Sequence, residues 1–150
     1  MKKSILYAAI LAAAMAVPNR HVELGKLKPV ETISIGYREN YLIIETDTGD
    51  IGIGSGVTEA LKDLKETTAG TIYLDTAEYL IVENEAREQI EKLRPWLKRN
   101  VRICEKDGQL DITKVSEYLR SHRPEVTLKQ WEKHISLQVL ETENGRMKLK

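Results

Sequence analysis

Asp47-Thr48-Gly49 follows the apolar run Tyr41–Ile44. A carboxylate at the end of such a run could activate water for hydrolysis if a second carboxylate shared its proton. One chain offers one such triplet, so Asp47 would need a dimer to complete the pair. The flanking residues give that chemistry little support. Glu45 and Thr46 precede Asp47 where a buried apolar pair would be needed, and Leu80-Ile81-Val82 runs into Glu83 rather than a glycine. Turn formation accounts for Asp-Thr-Gly-Asp equally well, because Asp and Gly both favour turn geometry.

Gly52-Ile53-Gly54-Ser55-Gly56 precedes an amphipathic stretch. The amides of Gly52, Gly54, Ser55 and Gly56 could in principle cradle a phosphate or another anion. A dinucleotide site would need glycine where Val57 stands, and no Gly-Lys-Ser/Thr follows. The alternative is a strand-to-helix turn. His21, His122 and His134 are scattered, and no Cys/His spacing marks a metal site. Cys104 is the only cysteine, so no internal disulfide can form, and Val101-Arg102-Ile103-Cys104 reads as a short strand with a buried thiol. No cofactor and no metal are expected. Glu83–Glu91 reads as a solvated helix face.

The elements that would hold these residues lie in one domain, since 150 residues with 41% hydrophobic and 31% charged side chains are ordinary globular values. Phe is absent, so Leu, Ile, Val and Ala must supply most of the core. Formal charge is zero but uneven. Lys2, Lys3, Arg20, Lys26 and Lys28 against Glu23 put residues 1–29 at +4, which leaves the remainder at −4. That acidic balance gives no electrostatic reason to bind nucleic acid.

Lys2-Lys3, the apolar run Ile5–Val17 and the small-x-small Ala14-Met15-Ala16 have the layout of a secretory signal. At 13 residues the run is short of the roughly 18 expected of a membrane span. Residues 1–17 are therefore expected to be a signal peptide or an uncleaved anchor, and residues 18–29, with two prolines and Gly25, a linker. The globular domain is expected at 30–135, with a hairpin or flexible tail at 136–150.

Within that domain, Thr32–Ile35 and Tyr41–Ile44 read as strands around an Arg38-Glu39-Asn40 turn. Val57, Ala60, Leu61 and Leu64 share one helix face, with Ser55 at its start and Gly70 past its end. Thr71–Leu74 and Tyr79–Val82 read as strands, the second buried on both faces. A helix through Ala86, Ile90, Leu93 and Leu97 is expected after Asn84, then a strand at Val101–Cys104. Asp111 caps a helix through Ile112, Val115, Tyr118 and Leu119. Thr127 would start a short fourth helix, and Glu143-Asn144-Gly145 would turn a terminal hairpin. The pattern predicts an α+β (mixed α/β) fold: about five strands in a single small sheet, with three to four helices covering one face.

Residues 57–103 resemble the N-terminal domain of the Ger(x)C family, the C subunit of spore germinant receptors. The features shared are the helix Thr58-Glu59-Ala60-Leu61-Lys62-Asp63-Leu64, the runs Ile72-Tyr73-Leu74 and Tyr79-Leu80-Ile81-Val82, the acidic start Glu85-Ala86-Arg87-Glu88, and the strand Val101-Arg102-Ile103. The chain departs from the family in lacking an acylated N-terminal cysteine, in having Thr76 where a histidine is usual, and in being much shorter. The resemblance implies a membrane-attached, non-enzymatic role in germinant signalling. The expectation is an exported or anchored interaction domain, associated with sporulation or germination, whose partners are other membrane or cell-envelope proteins. The alternatives are a small extracytoplasmic hydrolase using Asp47 in a dimer, and a small-ligand or anion-binding module using Gly52–Gly56.

Overall fold

Tyr79-Leu80-Ile81-Val82 is apolar at four consecutive positions because its strand, β6 (Tyr79–Glu83), is covered on both faces. The structure, a computed structural model, describes residues 24–150; the expected signal or anchor and the first half of the linker lie outside the described residues. The remaining strands are β1 (Leu27–Pro29), β2 (Thr32–Arg38), β3 (Tyr41–Thr46), β4 (Ile51–Gly54), β5 (Thr71–Tyr73), β7 (Arg102–Lys106), β8 (Val139–Glu143) and β9 (Arg146–Leu149). The helices are α1 (Val57–Thr67), α2 (Ile90–Leu93) and α3 (Ile112–Ser121).

This is a mixed α/β fold. Its main sheet has seven strands in the order β4-β3-β2-β6-β7-β8-β9, and β1 and β5 form a separate parallel pair. β2, β6, β7 and β8 run parallel in the centre, while β3, β4 and β9 are antiparallel additions at the two sides. The expected five strands become seven in that sheet because Thr71–Tyr73 leaves it to pair with β1, while the glycine-rich Ile51–Gly54 pairs fully with β3 and the C-terminal hairpin adds two strands beside β7. β1 also lies within the segment expected to be a linker.

The apolar periodicities place the helices. Val57, Ala60, Leu61 and Leu64 of α1 pack with Ile33, Ile35, Leu42 and Ile44 on one sheet face. A fully buried Leu in such a layer contributes about 2 kcal/mol. On the other face, Val115 and Leu119 of α3 pack with Tyr79, Ile81, Cys104 and Leu140. The sheet is thus covered from both sides, not one, because α3 crosses back over β2. There Thr32 Oγ1 donates to Ser116 Oγ at 2.8 Å.

Three local expectations give way to packing. Asn84–Trp96 is not one helix but two 3-10 turns around the four-residue α2, with Pro95 in the second turn. Thr127 begins a turn instead of a fourth helix, its hydroxyl bonded to Gln130 Oε1 at 2.7 Å. α1 is capped by Gly56 without a side-chain bond, while Ser55 gives its N–H (3.0 Å) and hydroxyl (2.6 Å) to Glu59. Asp111, by contrast, caps α3 as expected, accepting from the Thr113 and Lys114 amides. The Asn144-Gly145 hairpin forms, with both residues at positive φ.

Candidate functional site

Asp47 lies in the turn after β3, at the end of the sheet where the chain enters the fold. Its Oδ1 accepts the Glu31 amide at 3.1 Å, and its own amide donates to the Thr32 carbonyl at 3.1 Å. The side chain therefore ties the β3–β4 turn to the start of β2. Beside it, Arg120 Nε donates to Glu31 at 2.8 Å and holds that carboxyl below its usual pKa.

The glycine-rich segment is edge strand β4 and its exit. A Cβ on Gly52 would run into the Ala60 carbonyl and Leu64, and one on Gly54 into the backbone of α1 at Glu59–Ala60. Both glycines exist to let α1 lie directly on the strand. This closeness lets one side of α1 close the sheet edge. Glu59 accepts the Ser55 amide, Asp63 accepts the Ile53 amide at 2.8 Å, and Thr67 donates to the Ile51 carbonyl at 3.4 Å. The helix spacing of four residues matches the strand spacing of two, so three successive outward backbone groups are met by three successive turns. The Ile53 and Ser55 amides thus hold the chain's own carboxylates.

At the carboxyl ends of the parallel strands, where open α/β sheets commonly bind ligands, three strands contribute one charged cluster. Glu83 Oε1 meets Arg38 Nη1 at 2.9 Å and Lys106 Nζ at 3.3 Å, and Oε2 accepts the Tyr37 amide at 3.1 Å. The carboxylate sits over Gly36, where any Cβ would overlap it. Burial works to raise the Glu83 pKa, but Arg38, Lys106 and the amide together outweigh it and hold the carboxyl below its usual range. Such a group stays ionised and fully bonded. A shallow cleft of about 460 Å³ runs past it between Tyr37, Asn84 and Gln109.

The amino ends of β6 and β7 are different. A cleft of about 330 Å³ is lined by Lys98, Asn100, Arg102, Arg123 and Thr127 against one acidic residue, Glu78. Arg102 is half-buried and anchored by Nη1 on the Pro124 carbonyl at 2.6 Å. Burial raises the pKa of the Tyr79 hydroxyl, and Arg123 acts on it in the opposite sense, which places that guanidinium beside the phenol. The Glu78 carbonyl receives the Arg102 amide at 2.8 Å, while the Glu78 amide bonds the Glu31 carbonyl at 2.8 Å. The cleft therefore adjoins the point where residues 24–31 enter the fold. Its cations are spread over the segment before β7, β7 itself and the exit from α3, with no motif linking them, so spacing along the sequence carries no signal for it.

Cys104 is fully buried, and burial pushes its thiol up to about 12, so it stays protonated and unreactive. Among the described residues no group of His, Cys, Asp and Glu is arranged to hold a metal ion, and no helix is long and apolar enough to cross a membrane.

Part of the face that α3 covers elsewhere is left bare. On β3 and β4, opposite α1, Tyr41 (55% exposed), Ile51 (47%) and Ile53 (49%) point outward, with the half-buried Ile43 between them. No protein-family model matches the chain, and neither a curated protein nor a solved structure matches it.

Proposed function

We propose that this chain is an exported or membrane-anchored, non-enzymatic interaction domain, tethered through its N-terminal segment and acting with other cell-envelope proteins in sporulation or germination. The observation that carries the interaction reading is the bare apolar face of Tyr41, Ile43, Ile51 and Ile53, three of them exposed by about half. Exposed apolar residues gathered in one patch mark contact surfaces more often than scattered ones do. Because α1 meets the outward backbone groups of β4, a partner would be engaged through side chains on the face and not by added strand pairing. The signal-like layout of Met1–Ala16 supports the address, and the likeness of residues 57–103 to the Ger(x)C domain supports the process.

Two experiments test this. Residues 1–29 are fused to a reporter active only outside the cytoplasm; activity is expected, and a silent reporter defeats the address. A photo-crosslinker at Ile53 is expected to give discrete adducts with an envelope protein in cells. Adducts no more frequent than those from a crosslinker at the exposed Lys133 would defeat the interaction reading.

A further inference from the structure

We infer that the cleft formed by Lys98, Arg102 and Arg123 is a binding site for a phosphate group. Residues 30–150 sum to −4, yet this cleft gathers three cations against Glu78 alone, a local charge of +2. No carboxylate among the described residues lies within ion-pair distance of the three. Other buried or half-buried cations do not behave this way. Lys106 is paired with Glu83, and Arg87 with Glu105 at 2.7 Å. Among the described residues Arg102 is the half-buried cation left without a carboxylate partner, and it faces a cavity together with the exposed Lys98 and Arg123, an arrangement suited to an anion that comes from outside.

The donor set fits a tetrahedral dianion. Arg102 is half-buried and fixed by Pro124, so its guanidinium is preorganised, while Lys98 and Arg123 are exposed and converge from separate segments. The Asn100 side chain and the Thr127 hydroxyl add uncharged polar groups to the wall. About 330 Å³ holds a phosphate or pyrophosphate with water, and two guanidinium groups with an ammonium are the groups that bind phosphate oxygens most strongly.

The phosphate could belong to a lipid headgroup or to a soluble ligand. Glu31 lies against Glu78 at the rim, so an N-terminal anchor would hold this end of the sheet towards a bilayer. The lipid source rests on the anchoring reading; the phosphate site does not.

In nonionic detergent, the full chain is titrated calorimetrically with inorganic pyrophosphate. Saturable binding is expected, weakened about tenfold or more in Lys98→Gln/Arg123→Gln and by salt raised to about 0.5 M. The exposed Lys133→Gln serves as control and should bind as the unaltered chain does. Absence of saturable binding by the unaltered chain overturns the site, and so does equal affinity in the double variant. Flotation then separates the sources. Extra binding to vesicles containing phosphatidylglycerol over pure phosphatidylcholine, lost in the double variant, assigns a headgroup. Pyrophosphate binding without that extra binding assigns a soluble phosphate ligand. Failure to float with phosphatidylcholine alone counts against the anchor and leaves the phosphate site standing.

Discussion

At the carboxyl ends of β2, β6 and β7, Glu83 meets Arg38, Lys106 and the Tyr37 amide; at the amino ends of β6 and β7, Lys98, Arg102 and Arg123 face Glu78 across a cavity. The first end uses charge to join strands. Lys106 has only 6% of its side chain exposed, and its ammonium is tolerated there because Glu83 compensates it. The second end leaves its cations without carboxylate partners, facing an open cleft. Charged residues of the same types therefore do opposite work according to burial and pairing. At the end where a parallel sheet would usually bind a ligand, the clustered charges are paired with one another.

The largest test of this contrast is Glu83→Ala. It strands Lys106 and frees the Tyr37 amide, and it should cost about 3 kcal/mol in denaturant unfolding, as expected for breaking a buried pair. A cost below 1 kcal/mol would mean that the cluster does not join the strands. Next comes Gly36→Ala, whose methyl would displace the Glu83 carboxylate; about 2 kcal/mol is expected from overpacking and the disturbed pair.

A pH series should resolve the same group. The folded-state pKa of Glu83 is depressed from the ordinary 4.5, so its stabilising contribution is complete above that value and is lost as pH falls through the lower, folded-state pKa. Unfolding free energy should thus decline in acid more steeply for the unaltered chain than for Glu83→Gln. Glu31 and Asp50, also depressed, add to the same trend in both proteins. Smallest of all is the cleft. Lys98→Gln and Arg123→Gln should each change stability by less than about 0.5 kcal/mol, because neither side chain pairs with a carboxylate.

Much of the fold could be read in the residues. The α1 stripe, the doubly covered Tyr79–Val82, the Asp111 cap and the Asn144-Gly145 turn each follow from local patterns, and each forms. What escaped were features decided by contacts distant in sequence. Ile51–Gly54 looked as much like a loop as a strand, since glycines weaken strand propensity; their reason lies in the nearness of α1. The helix expected over Ala86–Leu97 breaks into short turns around Pro95, although its apolar residues are buried as their spacing required. The Thr127 segment had a capping residue but too little helix after it. Neither charged end was visible, because Arg38, Glu83 and Lys106 meet only once the strand order is known, and strand order is a tertiary fact. Asp47 and Gly52–Gly56 stood out for their residue types, and in the fold they are occupied with turn and edge geometry.

The contrast between the two ends is tested most directly by thermal unfolding of three chains, the unaltered one, Glu83→Gln and Lys98→Gln/Arg123→Gln, each with and without inorganic pyrophosphate. Glu83→Gln should melt lower in buffer yet keep the rise in Tm on adding pyrophosphate. The double variant should melt close to the unaltered chain in buffer and lose that rise. If instead Glu83→Gln melts normally, or the double variant is stabilised by pyrophosphate as much as the unaltered chain, the account of a self-paired end and a binding end is wrong.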